Sequence, residues 1–198
     1  MSLALARIIG EALFRWRDLL PVPLVAGLAR VSRPSPVTWA LGLPLIAAGE
    51  ALRLWALRHI GPTTRTREIC ADRLVQTGPY ALTRNPLYLA NLCKVAGFLT
   101  IAGHPGFGLF VLVCYAFEYA TVIPFEEGFL EGKFPDEFAE YRGRVPVLVP
   151  QGLLAGWDAP APHSWGEALW SERRTFGSSG LLLGLLAFSG WWKEGRRA

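Results

Sequence analysis

Charged residues are scarce in this chain. Of its 198 residues only 18% are Asp, Glu, Lys or Arg, against roughly 25% in an ordinary soluble domain, and 52% are hydrophobic. Together with a mean hydropathy of +0.29, this scarcity excludes an ordinary soluble domain and predicts a membrane protein. The net charge is only +4, which basic loops facing anionic lipid can account for, so nucleic acid is not an expected partner.

Cysteine and histidine are also few. The 3 cysteines are widely spaced and form no CxxC pair, which excludes a disulfide framework and predicts reduced core residues. Of the 3 histidines, His104 and His163 lie in predicted loops and His59 ends a predicted helix. We therefore expect no metal site.

Long apolar runs, in contrast, are present. A helix needs roughly 20 residues to cross about 30 Å of hydrocarbon, and Val37 to Ile60 is long enough. Pro44 is expected to kink this helix, and Gly42 and Gly49 to allow close contact with a neighbouring helix. The run therefore predicts a membrane span.

The other apolar runs complete the predicted fold. Leu89 to Ile101 and Phe107 to Phe125 flank the sequence AGHPGFG, whose glycines and proline predict a tight reversal between two antiparallel helices. Leu19 to Val31 is shorter and is a span only if it borrows residues from its flanks. Ser179 to Trp192 is also short and is either a tilted span or an interfacial helix. The expected fold is all-α, a polytopic membrane helix bundle of about four to five spans with a helical hairpin and cytoplasmic polar segments.

The chain divides into three predicted regions. Residues 1–60 hold N-terminal membrane helices, residues 61–150 the candidate functional region, and residues 151–198 a tail with an interfacial segment and a final apolar helix. Basic residues collect before and after the hairpin, whereas its tip at residues 104–108 has none, so the rule that cytoplasmic loops are positive places both polar segments in the cytoplasm. These basic residues are Arg65, Arg67, Arg73, Arg84, Lys133, Arg142 and Arg144.

Charged residues also occur inside the predicted spans. Lys94 and Glu118 are at similar distances from the hairpin turn, so we expect them at similar depth and able to form an ion pair. Glu50 and Arg53 are three residues apart and therefore share one face of their helix. Each pair either neutralises itself in lipid or lines a substrate cavity.

The polar segment after the hairpin carries an apolar stripe. Leu130, Phe134, Phe138, Tyr141 and Val145 recur at helical spacing, which predicts a docked helical face.

Two features frame this stripe. Pro135 must begin a new helix within it. Glu126 and Glu127 open the segment and point about 100° apart, so one is expected to face a cation of the site and the other a structural partner such as Arg84, or solvent. Acidic residues in a first helical turn are also favoured by the helix dipole alone.

Three stretches together resemble a known family. LRLWALRHIG, RLVQTGPYALTRNPLYL and EEGFLEGKFPDEFAEYRGRVPVLVP are similar to the isoprenylcysteine carboxyl methyltransferase family, which is related to the phospholipid methyltransferases. The resemblance covers about residues 52 to 150. The family patterns are matched by Leu74, Val75, Gly78, Tyr80, Arg84, Pro86 and Tyr88, and then by Glu126, Glu127, Leu130, Phe134, Phe138, Tyr141, Val145 and Pro146.

The resemblance implies an integral membrane enzyme that transfers a methyl group from S-adenosylmethionine to a lipophilic acceptor. The cofactor needs a carboxylate, a cation and aromatic faces, which these segments contain. Arg84 and Glu127 are the implied catalytic residues; Glu127 is the candidate base if the acceptor is an amine, whereas a carboxylate acceptor needs none. The implied cofactor-binding residues are Asp72, Arg73, Leu74, Val75, Tyr80, Asn85, Pro86, Leu87, Tyr88 and Glu126.

The chain departs from the family pattern at two positions. Asn85 replaces the usual histidine, which removes a titratable group, and Val122 replaces an arginine suited to a substrate carboxylate, which argues against prenylcysteine as the acceptor.

Two alternative functions stay open. One is an NADPH-dependent membrane reductase of the sterol reductase type, for which Arg65, Arg67 and Arg73 could bind the 2′-phosphate. The other is a non-catalytic lipid-binding protein.

Overall fold

The computed structural model describes residues 21–61, 72–152 and 159–195, and over these residues the chain is helical without strands. Five of the six helices in this part begin at a proline, which suits a first helical position because its missing N–H has no intrahelical partner there. The helices are α1 (Pro21–Val31), α2 (Pro36–Ile60), α3 (Pro86–Ala102), α4 (Pro105–Lys133), α5 (Pro135–Arg144) and α6 (Trp165–Gly195), with a 3₁₀ turn at Gly78–Ala81. The all-α prediction is confirmed.

The predicted hairpin is formed by α3 and α4. Gly103 ends α3 in the left-handed conformation (φ 63°), and the His104 ring accepts a hydrogen bond from the amide of Phe107 to cap α4. Tyr88 and Tyr119 are equally distant from the turn along the chain, and their ring centroids lie 4.8 Å apart. The two helices are therefore antiparallel, as predicted.

Glycines bring α2 and α3 into close contact. A Cβ added at Gly42 would lie 2.5 Å from the carbonyl oxygen of Gly97, and one added at Gly49 would lie 2.6 Å from that of Ala90. The predicted role of these two α2 glycines is confirmed. Pro44 lies within α2, and the kink expected there stays a prediction.

The C-terminal helix α6 runs antiparallel to α2 along its length. Near its start the Trp165 ring lies 4.3 Å from the guanidinium carbon of Arg58, and near its end Ser189 shares a hydrogen bond of 2.6 Å with Ser32. The predicted apolar helix over Ser179 to Trp192 is thus part of one longer helix that begins at Trp165. Trp157, in the interfacial segment predicted within residues 151–198, lies outside the described residues.

Two described helices are long and apolar enough to cross a membrane. They are α2 and α4, and only 28% of the most apolar window of each is buried inside the molecule, so their apolar surface faces outward. α3 is apolar but shorter, with 17 residues. These helices indicate a membrane-associated protein.

The predicted pairing of Lys94 with Glu118 is wrong. Lys94 Nζ instead lies 2.5 Å from Glu50 Oε1, on α2. The number of residues between Lys94 and the hairpin turn predicts how deep Lys94 lies along α3, but not the side of α3 from which its side chain projects. The close approach of Gly49 to α3 makes α2 the nearer source of a carboxylate.

Candidate active site

The polar segments before and after the hairpin meet at the open end of the hairpin. The backbone amide of Arg84 donates to the carbonyl of Pro146 at 2.9 Å, and that of Gln151 to the carbonyl of Leu82 at 3.1 Å. The Thr83 hydroxyl donates to the carbonyl of Val147 at 3.0 Å. The chain after α5 is therefore fixed against the residues that lead into α3.

Arg84 is the centre of this junction, and its side chain is only 7% exposed. Its Nε and Nη2 donate to the two carboxylate oxygens of Glu127 at 2.8 and 3.2 Å, while Nη1 donates to the carbonyl of Val145 at 2.6 Å. A bidentate pair of this kind fixes the planes of both groups. Of the two adjacent acids, Glu127 is thus the partner of Arg84.

Asn85 occupies the position where the family pattern has histidine. Its Nδ2 donates to the carbonyl of Val147 at 3.0 Å and lies 3.4 Å from Glu127 Oε1. The amide therefore supplies two donor contacts to the same junction as Arg84. It does so without a titratable group.

The predicted apolar stripe docks onto the segment before the hairpin. Phe138, Tyr141 and Val145 are buried together, with Leu74 and Leu130 packed against them. The predicted helix start at Pro135 is also confirmed.

Tyr80 and Tyr141 link the two segments. The Tyr141 hydroxyl donates to the carbonyl of Tyr80 at 2.7 Å. The buried Tyr80 hydroxyl has no hydrogen-bond partner among the described residues. Burial raises the pKa of Tyr80 well above its usual value of 10.0, with the nearby Tyr141 a further cause, so this hydroxyl keeps its proton. A buried donor of this kind is open to an ordered water or a ligand atom.

The segment that carries Tyr80 is held by His59, which sequence reasoning treated as the end of a helix. The ring of His59 occupies the space where a side chain at Gly78 would lie, and its Nδ1 is 3.0 Å from the Thr77 hydroxyl. Arg73 Nη2 donates to the His59 carbonyl at 3.2 Å. The LRHIG and TGPY stretches are thus neighbours in space.

The other predicted cofactor-binding residues lie in the segment before the hairpin, in the first turn of α3 and on α4, and they differ in exposure. Asp72 and Arg73 are exposed, and Pro86 is buried at the start of α3. Partly buried are Leu74, Val75, Leu87, Tyr88 and Glu126. The charge of Glu126 is a further, smaller cause of the raised pKa of Tyr80.

A second polar cluster lies between α2, α3 and α6. Arg53 Nε is 2.9 Å from Glu172 Oε2, and Arg53 Nη1 donates to Asn91 Oδ1 at 2.9 Å. Glu50, paired with Lys94, also accepts from the Ser179 hydroxyl at 3.1 Å. Sequence reasoning paired neither Glu172 nor Ser179 with these groups, because α6 carries no motif that marks them.

No group of three or more metal-ligating side chains is present in the part of the chain that the structure describes. Arg65 and Arg67, which the reductase alternative invokes, lie outside the described residues.

Long apolar helices with a buried arginine–carboxylate pair at one end are the architecture of a membrane-associated helical protein. The phospholipid methyltransferase family matches residues 37–137, half of the chain, and the protein belongs to this family. The chemistry of the family is methyl transfer.

The relatives include a metal-resistance protein and two methyltransferases. The chain is 30% identical over 175 residues to the cobalt-zinc-cadmium resistance protein CzcN of Cupriavidus metallidurans, covering 86% of this chain and 76% of that protein. It is 32% identical over 114 residues to protein-S-isoprenylcysteine O-methyltransferase B of Arabidopsis thaliana, covering 55% of this chain and 57% of that protein. The corresponding enzyme of Saccharomyces cerevisiae is 29% identical over 115 residues, which is 56% of this chain and 48% of that enzyme. The chain thus spans only part of these two methyltransferases, and no solved structure matches it significantly.

Proposed function

We propose that the protein transfers a methyl group from S-adenosylmethionine to a lipophilic acceptor at the membrane boundary. The observation that carries this proposal is the junction of Arg84, Asn85 and Glu127, where the two family motifs meet at the open end of the hairpin. A water-soluble cofactor and a lipid-embedded acceptor can both reach such a boundary.

The residues of the junction fit the cofactor. Its sulfonium and ammonium groups need a carboxylate and aromatic faces, which Glu126, Tyr80 and Tyr88 supply, and its carboxylate needs a cation such as Arg73 or Arg84. The unpartnered hydroxyl of Tyr80 offers a buried donor. When bound, the sulfonium supplies an electrophilic methyl carbon.

Positioning is the main contribution that the chain makes to the reaction. Alignment of two reactants in a dry site can contribute roughly 7 to 11 kcal/mol, and the rigid Arg84–Glu127 pair fixes one wall of the site. A carboxylate acceptor is ionised at neutral pH and needs no base, so Glu127 then acts by holding Arg84. With an amine acceptor, Glu127 would have to release Arg84 in order to take the proton.

The membrane arrangement is part of the proposal. We infer a multi-pass protein of four to five spans whose active site faces the cytoplasm, supported by Arg73, Arg84 and Lys133 near the site. Cations also occur near the hairpin turn, at the opposite end of the bundle. There the backbone N–H of Arg33 donates to the carbonyl of Ala102, and Lys193 Nζ donates to the carbonyl of Ser32. Accessibility of single introduced cysteines at the two ends, measured in intact cells and in inverted vesicles, tests the orientation.

A binding measurement and a transfer assay test the proposed function. Calorimetry on the detergent-purified protein should show binding of S-adenosylmethionine but not of NADPH, and labelled methyl groups should enter a lipid extract. NADPH binding without S-adenosylmethionine binding would favour the reductase. A folded protein that labels no lipid would favour a non-catalytic role.

The variant Tyr80→Phe sharpens this test. It removes only the unpartnered hydroxyl, so it should weaken cofactor binding by about threefold to tenfold, the value of one hydrogen bond, without lowering the unfolding midpoint. An unchanged affinity would remove Tyr80 from the cofactor site.

A further inference from the structure

The C-terminal end of α2 is joined to two other parts of the chain. The last carbonyls of a helix have no partner inside the helix and are satisfied from outside. Here the Arg58 carbonyl accepts from the amide of His163, just before α6, at 3.1 Å. The next carbonyl, that of His59, accepts from Nη2 of Arg73, in the segment before the hairpin, at 3.2 Å. The end of α2 is therefore bonded both to the C-terminal helix region and to the predicted cofactor-binding segment.

The side chain of His59 supports the turn that leads to Tyr80. His59 is only 1% exposed, and its ring occupies the space that a side chain at Gly78 would fill. Gly78 has a φ of 61°, a conformation that favours glycine. Nδ1 of the ring shares a hydrogen bond of 3.0 Å with the Thr77 hydroxyl, and the Trp55 ring, one turn earlier on α2, meets it edge-on with centroids 6.5 Å apart. The ring is thus fixed between its own helix and the turn.

Tyr80 is held between two supports. The 3₁₀ turn Gly78–Ala81 begins at the residue against which the His59 ring packs. The carbonyl of Tyr80, in the middle of this turn, accepts from the Tyr141 hydroxyl of α5 at 2.7 Å. One support therefore comes from α2 and the other from α5. Such placement matters in an active site, because a displacement of about 1 Å can cost roughly a hundredfold in rate.

The start of α6 holds the end of α2 in turn. Arg58 Nε donates to the carbonyl of His163 at 3.2 Å, so the two residues exchange hydrogen bonds. The guanidinium carbon of Arg58 also lies 4.3 Å from the centre of the Trp165 ring. The ring of His163 occupies the space where a side chain at Gly61 would lie, directly after the last residue of α2. These contacts fix the last turn of α2, which carries His59.

We propose that His59 is a positioning residue for the cofactor: it fixes the turn that carries Tyr80, and the start of α6 supports His59 through Arg58 and Trp165. The inference rests on the proposed function, because it assigns this turn to the cofactor site. It gives the C-terminal helix a part in the site, although α6 lies outside residues 37–137, which match the family.

Hydrogen exchange tests the positioning on the detergent-purified protein without cofactor. The backbone amides of Tyr80, Leu82 and Thr83 close the turn through hydrogen bonds to backbone carbonyls. His59→Ala removes both the ring and the bond to Thr77, so exchange of these three amides should become roughly tenfold faster, the value of one hydrogen bond. Unchanged exchange at these amides would overturn the proposal, whether or not the protein binds S-adenosylmethionine.

Cofactor affinity, measured by calorimetry, separates positioning from stability. His59→Ala should weaken binding of S-adenosylmethionine roughly tenfold, and His59→Asn, which keeps a polar group near the position of Nδ1, should recover part of this loss. Ile101→Ala is the matched control. Ile101 is fully buried in the core that contains Ile46 and Leu186, so this variant should lower the unfolding midpoint and leave the affinity unchanged.

Two outcomes of this comparison have different meanings. Equal weakening by Ile101→Ala and His59→Ala would show that affinity only follows stability and would overturn the proposal. Absence of S-adenosylmethionine binding by the unmodified protein, together with faster exchange of the turn amides in His59→Ala, would contradict the proposed function alone.

Two exposed tryptophans provide matched variants for the part played by α6. The Trp165 ring lies against Arg58 of α2 and the Trp170 ring against Arg173 of its own helix, each 4.3 Å from the guanidinium carbon. Trp165→Ala should speed exchange of the turn amides and weaken cofactor binding about twofold to fivefold, the value of one exposed cation–π contact. Trp170→Ala should change neither. An equal response of the two variants would overturn the part assigned to α6.

Discussion

Arg84 and Arg53 each pair with a carboxylate, but the two guanidinium groups are held by different parts of the chain. Arg84 binds Glu127 and also two backbone carbonyls, those of Val145 and Arg142. Among the described residues, Arg53 is held by the side chains of Glu172 and Asn91, which project from two other helices. The first pair therefore depends on the path of the backbone, and the second on how α2, α3 and α6 pack.

This difference predicts how each region responds to substitution. Loss of Arg84 would leave carbonyl oxygens and a carboxylate without their donor at once. The inner cluster comprises Glu50, Arg53, Lys94 and Glu172, and loss of one charge there leaves a counter-charge that a second substitution can remove. The outer site, which is the junction of Arg84 and Glu127, should thus be irreplaceable, and the inner cluster replaceable in parts.

Arg84→Ala should have the largest effect. Removing one member of a buried ion pair costs about 3 to 5 kcal/mol, and here the Val145 carbonyl also loses its donor. We expect a lower unfolding midpoint in detergent and no measurable methyl transfer. The control is Arg142→Ala, because the exposed side chain of Arg142 lies in the same segment. Equal losses in the two variants would contradict the role assigned to Arg84.

The Glu50–Lys94 pair should respond in two different ways. Lys94→Ala leaves Glu50 buried without its cation and should cost about 3 kcal/mol, at the lower end for such pairs because the Ser179 hydroxyl still donates to Glu50. The double variant Glu50→Leu with Lys94→Met removes both charges and should recover most of this loss. Thermal unfolding of the three proteins measures it, and a double variant less stable than Lys94→Ala would show that the cluster is required as such.

The outer site could be predicted from the sequence because its parts lie in two short motifs. The spacing within TGPYALTRNPLYL and the stripe from Leu130 to Val145 are local patterns, and the hairpin turn between them brings the motifs to one end. Even the division of the acidic pair was partly visible, since adjacent helical residues point in different directions. The structure then identifies Glu127 as the partner of Arg84.

The inner cluster could not be predicted in the same way. Glu172 is one acid among several in a polar stretch, and only the packing of α6 along α2 brings it to Arg53. Lys94 pairs with Glu50 and not with the predicted Glu118, because the depth of a residue along a helix does not specify which neighbouring helix its side chain faces. His59 likewise gains its role from Gly78, whose positive φ and missing side chain make room for the ring.

Gly97→Ala tests the packing on which the inner cluster depends. A Cβ at this position would lie 2.7 Å from the carbonyl oxygen of Gly42 and 2.6 Å from the side chain of Ile46, so α2 and α3 must separate. Overpacking of this kind costs about 1 to 3 kcal/mol. Gly177→Ala on α6 is the matched control, because a Cβ there meets no atom within 4 Å, and it should leave stability unchanged or raise it. Unfolding midpoints of the two variants give the comparison.

The smallest effect is expected for Tyr141→Phe, which removes one hydrogen bond from the outer site. The carbonyl of Tyr80 loses a buried donor, which costs about 1 kcal/mol, whereas Tyr80→Phe removes a hydroxyl that has no partner among the described residues and should cost nothing. Burial also raises the pKa of both phenols in the folded protein. The unfolded chain therefore loses these protons first, and stability should fall as the pH rises above about 10. Either phenylalanine variant should reduce that fall, and an identical pH dependence in all three proteins would show that neither phenol is buried in the folded state.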